Sequence, residues 1–167
     1  MRIAIIGAGN VGGGLAAAAI KAGHDVVLSA GDPAAAQASA ATAGAAAAAS
    51  NIEAVQGADL VVLAVPNGAV IGIVTELGDA LKGKTVVDVT NPLTDDYSDL
   101  TASGVSAAEL LQQQVPGASV VKAFKTIFAG RHSNPTEGGQ PLDAFIAAAM
   151  TSRRRPSALW PSPWATA

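Results

Sequence analysis

Residues 3–20 read IAIIGAGNVGGGLAAAAI and contain the pattern G-x-G-x-x-G, formed by Gly7, Gly9 and Gly12. The apolar run Ile3–Ile6 predicts a buried parallel strand ahead of the glycines. The alanine-rich residues behind them predict a helix. The pattern thus lies between a strand and a helix, and this context favours a dinucleotide-binding loop over the alternative, an ordinary glycine-rich turn without ligand.

Each glycine has a separate physical role in such a loop. Gly7 permits the tight turn, Gly9 lets the backbone approach a pyrophosphate, and Gly12 allows the helix to pack closely on the sheet. Phosphates are favoured at the helix N-terminus, where unpaired N–H groups and the helix dipole attract anions. We therefore predict a dinucleotide-binding loop made of Gly7, Ala8, Gly9, Asn10, Val11 and Gly12.

Predicted strands and helices alternate along the rest of the chain. The alternation predicts an α/β fold, a single Rossmann-type domain with a doubly wound, mainly parallel sheet flanked by helices. Besides Ile3–Ile6, the predicted strands are Val26–Leu28, a short one within 45–49, Leu60–Val65, Thr85–Val89, Ser119–Phe124 and Leu142–Ala147. The predicted helices are Leu15–Ala22, one from residue 34 towards Gly44, Val70–Leu81 and Ala107–Val115.

Composition excludes several classes of protein. Half of the 167 residues are hydrophobic and 14% are charged, as in a folded domain rather than a disordered chain. The net charge of −3 argues against nucleic acid as the main partner. The chain has no cysteine, which rules out disulfides and thiolate chemistry. No apolar stretch is long enough to span a membrane, so we expect a cytoplasmic protein without a membrane partner.

The ends of the predicted strands define a candidate cofactor groove. In open α/β sheets, ligands bind outside the carboxyl ends of the strands. Small or polar residues follow nearly every strand of this chain at that point. Beyond the glycine loop, we therefore predict cofactor contacts at Ser29, Val65, Pro66, Asn91 and Pro92.

The second predicted strand does not decide between NADP and NAD. An acidic residue at its end would bind the ribose hydroxyls of NAD, and an arginine would suit the extra phosphate of NADP. The sequence offers Ser29, whose hydroxyl could donate to a phosphate, and Asp32 three residues later. Because Pro33 follows Asp32, we favour a helix-capping role for Asp32 over ribose binding.

The C-terminal segment differs in composition from everything before it. Residues 1–147 carry seven basic and thirteen acidic side chains, a net charge of −6, and all eighteen glycines. Residues 148–167 hold both tryptophans, three prolines and the triplet Arg153–Arg155. We therefore divide the chain into a nucleotide-binding domain (1–147) and an atypical tail (148–167). The tail is predicted to be either a poorly ordered extension or the product of out-of-frame translation.

Five stretches together resemble the coenzyme F420-dependent NADP oxidoreductases and, more distantly, the reductase domains of the STEAP metalloreductases. They are IAIIGAGNVGGGLA (3–16), ADLVVLAVP (58–66), VVDVTNPL (86–93), VVKAFKT (120–126) and GRHSNPTEGGQPLDAFIA (130–147). The resemblance implies an NADP-binding Rossmann domain. It also implies hydride transfer between the nicotinamide and a flavin-like acceptor such as F420, a reaction that needs no obligatory protein acid or base. We accordingly assign no catalytic side chain.

Three departures from the family pattern bear on function. The family has Ser-Arg after the second strand, whereas Ser29 is followed here by Ala30 and Gly31. The family reads K-A-F-N-T where this chain has Lys125, which either binds phosphate or points to solvent. The tail replaces the family's remaining C-terminal elements, and this favours the alternative of a non-catalytic NAD(P)-binding module.

The sequence gives weaker signals for the oligomeric state and for an alternative reaction class. Folds of this kind are often dimeric, so a homodimer is one expected state. A β-hydroxyacid or imine reductase would need a long helical second domain.

His132, in a polar loop on the groove side, is a candidate acceptor contact, whereas His24 is expected in a turn at the opposite edge. No metal site is expected, and Asp95, Asp96 and Asp99 are interpreted as a solvated acidic loop.

Overall fold

The computed structural model describes residues 1–94, 96, 98–101 and 104–148. Asp95, Ser103 and the predicted tail beyond residue 148 lie outside these residues. The strands are β1 (Arg2–Ile6), β2 (Asp25–Ser29), β3 (Ala46–Ala47), β4 (Leu60–Leu63), β5 (Thr85–Asp88), β6 (Ser119–Ala123), β7 (Thr136–Glu137), β8 (Gln140–Pro141) and β9 (Ile146–Ala148). The helices are α1 (Asn10–Lys21), α2 (Pro33–Ala43), α3 (Asn51–Val55), α4 (Val70–Leu77) and α5 (Ala107–Gln114).

Seven strands form one sheet in the order β3-β2-β1-β4-β5-β6-β9. All neighbouring pairs are parallel except β6 and β9. The strands between β3 and β6 are rich in valine, isoleucine and leucine, because both faces of a covered parallel sheet are buried. This order, which reverses direction between β1 and β4, confirms the predicted doubly wound Rossmann-type fold.

The helices cover the two faces of the sheet in separate cores. On one face, Ile3 and Ile5 of β1 pack in a cluster with α1 and α2. On the other face, Ala4 and Ile6 pack in a cluster with α3, α4 and α5. Each buried isoleucine, leucine or valine side chain contributes about 1.5–3 kcal/mol of hydrophobic stabilisation. The two cores hold the carboxyl ends of the strands in one line.

Several element boundaries differ from the sequence-based prediction. Helix α1 begins at Asn10 rather than Leu15, because its glycine-rich first half packs tightly against neighbouring segments. The predicted helix Val70–Leu81 ends as an α-helix at Leu77, where Gly78 adopts a φ of +46° and a 3-10 turn follows. Strand β4 stops at Leu63, two residues before the predicted end.

The last part of the described chain was predicted least well. The strand expected at Leu142–Ala147 runs from Ile146 to Ala148 and is antiparallel, with Ile146 opposite Ala123. The short helix α3 and the hairpin β7–β8 were not predicted at all. In the hairpin, Gly138 and Gly139 both take positive φ values, as tight hairpin turns require.

Across the described residues, no helix combines the length and apolar character needed to cross a bilayer.

Candidate functional site

One row of paired residues brings the predicted groove segments together. Across the sheet, Ile6 is paired with Ser29 on one side and with Leu63 on the other, and Leu63 is paired in turn with Asp88. The residues that follow this row therefore leave the sheet at the same edge. The glycine loop, Ala30, Val65–Pro66 and Asn91–Pro92 all lie at this carboxyl edge.

Gly7 and Gly12 are required by the packing of the protein itself. Gly7 has a φ of +116°, and its N–H donates to the Ser29 carbonyl at 2.8 Å. A Cβ on Gly7 would lie 2.1 Å from the Ala64 carbonyl oxygen, and a Cβ on Gly12 would lie 1.9 Å from the Gly7 carbonyl oxygen. Neither position has room for any side chain, because the obstructing atoms are backbone.

Gly9 differs from both. It caps α1 with φ −75° and ψ −172°, a conformation open to every residue, and a Cβ there would meet no atom within 4 Å. The fold therefore has space for a side chain at Gly9, although the sequence has glycine there. A backbone-lined space at this position is what close approach of a pyrophosphate requires.

The start of α1 has the electrostatic character of an anion site. No side chain caps the helix, and its first turn contains no acidic residue. The first intrahelical bond runs from Gly13 N–H to the Gly9 carbonyl at 2.8 Å, so the earlier N–H groups are available to a ligand. Asn10 and Val11 begin this 12-residue helix. A groove of about 590 Å³ begins at the glycine loop, where Ala8, Gly9 and Asn10 line it. From there the groove continues between helices α1 and α2.

Ser29 lies at the groove edge but is fully buried. Its hydroxyl donates to Asn51 Oδ1 at 2.9 Å, and Asn51 Nδ2 donates to Glu76 Oε2 at 3.1 Å. Because the hydroxyl hydrogen is engaged by Asn51, a hydrogen bond from Ser29 to a phosphate would require Asn51 to release it. Direct contact between Ser29 and the cofactor stays a prediction.

Asp32 caps helix α2, as its pairing with Pro33 predicts. Its Oδ1 accepts a hydrogen bond from Ala34 N–H at 2.9 Å, and Pro33 occupies the first turn. Ala30 and Gly31, which stand where the family pattern has arginine, are partly buried and exposed. This part of the groove is therefore lined by backbone and small side chains.

A polar network that the sequence analysis missed lies beneath the groove at β5 and β6. Asp88 ends β5 and pairs in register with Lys122 of β6, and Lys122 Nζ lies 2.7 Å from Asp88 Oδ2. The same Nζ donates to the carbonyl oxygen of Thr90 at 2.5 Å. The sequence signal was a charged residue in each of two apolar strands, TVVDV and SVVKA, at matching positions.

The other two predicted segments occupy the same edge. Val65 is partly buried and Pro66 exposed after β4, and Asn91 is exposed and Pro92 partly buried after β5. Pro92 also lines a cavity of about 760 Å³ between α5 and the strands β6 and β9. The structure thus places all predicted cofactor contacts along one edge of the sheet, with the side chain of Ser29 beneath the surface.

His132 is buried, and this corrects the expectation that it is an acceptor contact on the groove side. Its side chain is 1% exposed, meets Phe124 edge-on with ring centroids 6.4 Å apart, and packs against α1 at Gly14. Its Nδ1 is buried without a hydrogen-bond partner, and burial lowers the pKa of the imidazole below its ordinary value. The lack of a Cβ on Gly14 makes room for the Cβ of His132, which would lie 2.9 Å from it.

The remaining titratable residues lie away from the groove or on its exposed rim. Lys125 is exposed and lines the same cavity as Pro92, so phosphate binding and solvent exposure both stay predictions for this residue. Asp96 is exposed, and hydrogen bonds from Thr94 and Ser98 lower its pKa to about 2. Among the described residues, no group of three or more histidines and carboxylates is arranged to hold a metal ion.

Comparisons with known proteins point to one family. Residues 2–92 match the family model described as NADP oxidoreductase, coenzyme F420-dependent. The chain is 31% identical over 165 residues to the F420-dependent NADP reductase of Methanothermobacter marburgensis, covering 88% of this chain and 72% of that protein. The corresponding reductase of Methanothermobacter thermautotrophicus is 31% identical over 171 residues, covering 92% and 72%.

Solved structures agree with this similarity. A crystal structure from Arthrobacter sp. FB24, whose assignment as an F420-dependent NADP-reductase is itself provisional, superimposes with a TM-score of 0.78 at 29% identity, covering 90% of this chain and 75% of that one. The 3-hydroxyisobutyrate dehydrogenase of Mycobacterium tuberculosis superimposes with a TM-score of 0.61 at 27% identity. That match covers 73% of this chain but only 39% of the dehydrogenase.

Proposed function

The chain belongs to the F420-dependent NADP oxidoreductase family, and from that premise we propose that it binds NADP(H) along the carboxyl edge of its sheet and exchanges hydride with a deazaflavin or flavin acceptor. In this proposal the pyrophosphate lies on the glycine loop at the start of α1. The nicotinamide half lies over the segments that follow β4 and β5. In this proposal the nucleotide-binding domain is residues 1–147 and the tail is residues 148–167, although Ala148 is still the last residue of β9.

The observation that carries the proposal is the contrast among the three loop glycines. Gly7 and Gly12 are explained by contacts within the protein, with backbone oxygens 2.1 and 1.9 Å from any added Cβ. Gly9 has no such explanation, because a side chain there would meet only open space. That space adjoins the uncapped N–H groups of α1, so a pyrophosphate in it accounts both for the glycine and for the missing cap.

The chemistry asks little of the protein beyond binding and orientation. When bound, the dinucleotide supplies or accepts the hydride at its nicotinamide ring. The protein's part is to stack the two rings and exclude water, which fits a groove edge lined by Val65, Pro66 and Pro92 rather than by a proton-transfer pair. The names of the two Methanothermobacter relatives support F420 as the first acceptor to test.

The substitution Gly9→Ala tests the proposal. The variant should fold with unchanged thermal stability, because its Cβ meets no other atom. It should bind NADPH at least tenfold more weakly, because the Cβ occupies the space of the pyrophosphate. A tenfold change in affinity corresponds to about 1.4 kcal/mol. Nicotinamide fluorescence follows binding. Gly72→Ala, in the exposed part of α4, is a matched control that adds the same methyl group in open space.

The outcomes separate the competing functions. Failure of the unmodified chain to bind NADPH or NADH would contradict the proposal. If Gly9→Ala bound NADPH as tightly as the unmodified chain, the pyrophosphate would not lie on the glycine loop. Binding without oxidation of NADPH by F420, flavin or ferric acceptors would identify a non-catalytic binding module instead of an oxidoreductase.

A further inference from the structure

The ion pair between Asp88 and Lys122 is the most deeply buried one among the described residues. The Asp88 side chain is 2% exposed and the Lys122 side chain 13% exposed, with 2.7 Å between Nζ and Oδ2. Asp88 is flanked by Val87 and Val89, and Lys122 by Val121 and Ala123. Burying two charges costs solvation free energy, and a well-packed apolar pair is often as stable or more so. The stability of the sheet therefore gives no reason for these two side chains.

The pair holds the backbone of Thr90 on both sides. Thr90 N–H donates to Asp88 Oδ1 at 2.8 Å, and the Thr90 carbonyl oxygen accepts from Lys122 Nζ at 2.5 Å. Thr90 is itself 5% exposed, and its hydroxyl donates to Asn67 Oδ1 at 3.3 Å. Asp88, Lys122, Thr90 and Asn67 thus form one connected set, which we call the Thr90 network.

The Thr90 network connects two segments of the predicted groove. Thr90 directly precedes Asn91 and Pro92, and Asn67 directly follows Pro66. A Rossmann-type sheet consists of two mononucleotide-binding halves. Because the glycine loop and the end of β2 belong to the adenine half, the segments after β4 and β5 belong to the nicotinamide half. The network lies beneath that half alone.

We propose that Asp88 and Lys122 are positioning residues for the nicotinamide half of the dinucleotide. They act through Thr90, fixing the course of residues 90–92 and, through Asn67, that of residues 66–67. This inference rests on the proposed function and deepens it, since it assigns the two halves of the ligand to separate parts of the site. The hydrogen bonds of the two side chains join them to each other and to Thr90, so we expect binding of the adenine half to be independent of the pair.

The double substitution Asp88→Val with Lys122→Met tests the inference. It removes both charges together and fills their space with apolar atoms, so that no buried charge is left unpaired. The probes are NADPH, which carries both halves, and adenosine 2′,5′-bisphosphate, which carries the adenine half alone. We expect NADPH to bind about tenfold more weakly and the bisphosphate to bind as before. Turnover with F420 should fall about a hundredfold, the size of effect that a misplacement of about 1 Å produces.

A second pair serves as the control. Asp79 and Lys82 form an exposed ion pair at 2.8 Å, away from the groove edge. The double substitution Asp79→Asn with Lys82→Met should change neither affinity. If Asp88→Val with Lys122→Met does not fold, as judged by circular dichroism, Asp88→Asn with Lys122→Gln replaces it. In that variant we again expect weaker binding of NADPH and unchanged binding of the bisphosphate.

The ratio of the two affinities decides the outcome. A selective loss of NADPH binding supports the inference. An unchanged NADPH affinity, or an equal loss for both probes, overturns it, since a purely structural pair would affect the halves alike. Failure of the unmodified chain to bind either probe would instead overturn the proposed function itself.

Discussion

At the scale of single residues, the glycine loop contains two kinds of glycine. Gly7 and Gly12 are fixed by collisions that any Cβ would make with backbone oxygens. Gly9 has an ordinary backbone conformation and open surroundings. Sequence spacing treats the three alike, whereas geometry separates the two that build the loop from the one that leaves space for a ligand.

The residue after Ser29 is expected to set the choice between NADP and NAD. Ala30→Arg would place a guanidinium beside the end of β2, where it can bind a 2′-phosphate through charge-assisted hydrogen bonds. We expect NADPH affinity to rise about tenfold and NADH affinity to stay unchanged, because a hydrogen bond to a charged group is worth about 1.5–3 kcal/mol. Fluorescence titration with both nucleotides measures the effect.

Ala30→Gln is the control for this prediction, since it adds a long polar side chain without charge. It should leave the ratio of the two affinities near that of the unmodified chain. An equal gain for NADPH and NADH in Ala30→Arg would show that the arginine binds the pyrophosphate rather than the 2′-phosphate.

At the scale of elements, some helices start with a side-chain cap and others do not. Helix α5 carries a complete capping box, in which Ser106 Oγ accepts from Glu109 N–H and Glu109 Oε2 accepts from Ser106 N–H. Helix α2 has the Asp32 cap. Helix α1 alone among these three starts without a side-chain cap. Helix α4 also begins without a side-chain cap, but the 3-10 turn Asn67–Ala69 leads directly into it. The bare start of α1 lies at the predicted phosphate site.

The cap on α2 gives a prediction for stability. Asp32→Ala should lower the free energy of unfolding by about 1 kcal/mol, because it leaves a helix N–H group without its partner. Asp32→Asn should retain most of the stability, since asparagine caps as well as aspartate. Urea denaturation monitored by circular dichroism measures both. Weaker NADH binding by Asp32→Asn at unchanged stability would assign Asp32 to the ribose after all.

At the scale of the whole molecule, the buried His132 makes stability depend on pH. Its pKa in the folded state lies below the ordinary value of 6.5, so the unfolded chain binds its proton more readily. This contribution to stability is complete above pH 6.5 and declines as the pH falls below 6.5. We expect the urea midpoint to decrease between pH 7.5 and pH 5.5.

The variant His132→Leu isolates this effect. Its urea midpoint should depend less on pH over the same interval, whatever its absolute stability. His24 also has a lowered pKa, caused by burial and by the N-terminal amino group, and contributes in the same direction. His24→Asn should therefore remove only its own part of the dependence. An unaltered slope in His132→Leu would contradict the assignment.

Local patterns predicted most of the elements of the fold. Apolar runs located β1, β4 and β5, with Gly7 and Pro66 ending the first two, and the glycine spacing located the turn before α1. The sequence missed α3, although Ser50 followed three residues later by Glu53 is a start signal, and Ser50 Oγ accepts from Glu53 N–H. Its five residues are too few for a periodic pattern to stand out.

The sequence by itself determined the doubly wound sheet, because hydrophobic periodicity and glycine requirements are local and repeat along the chain. Only the tertiary structure decided the antiparallel direction of β9, the burial of His132 and Ser29, and the pairing of Asp88 with Lys122. These features depend on residues far apart in sequence, and no local pattern encodes the register that brings two strand ends together. The candidate site was thus predictable as an edge of the sheet, whereas the polar network beneath it was not.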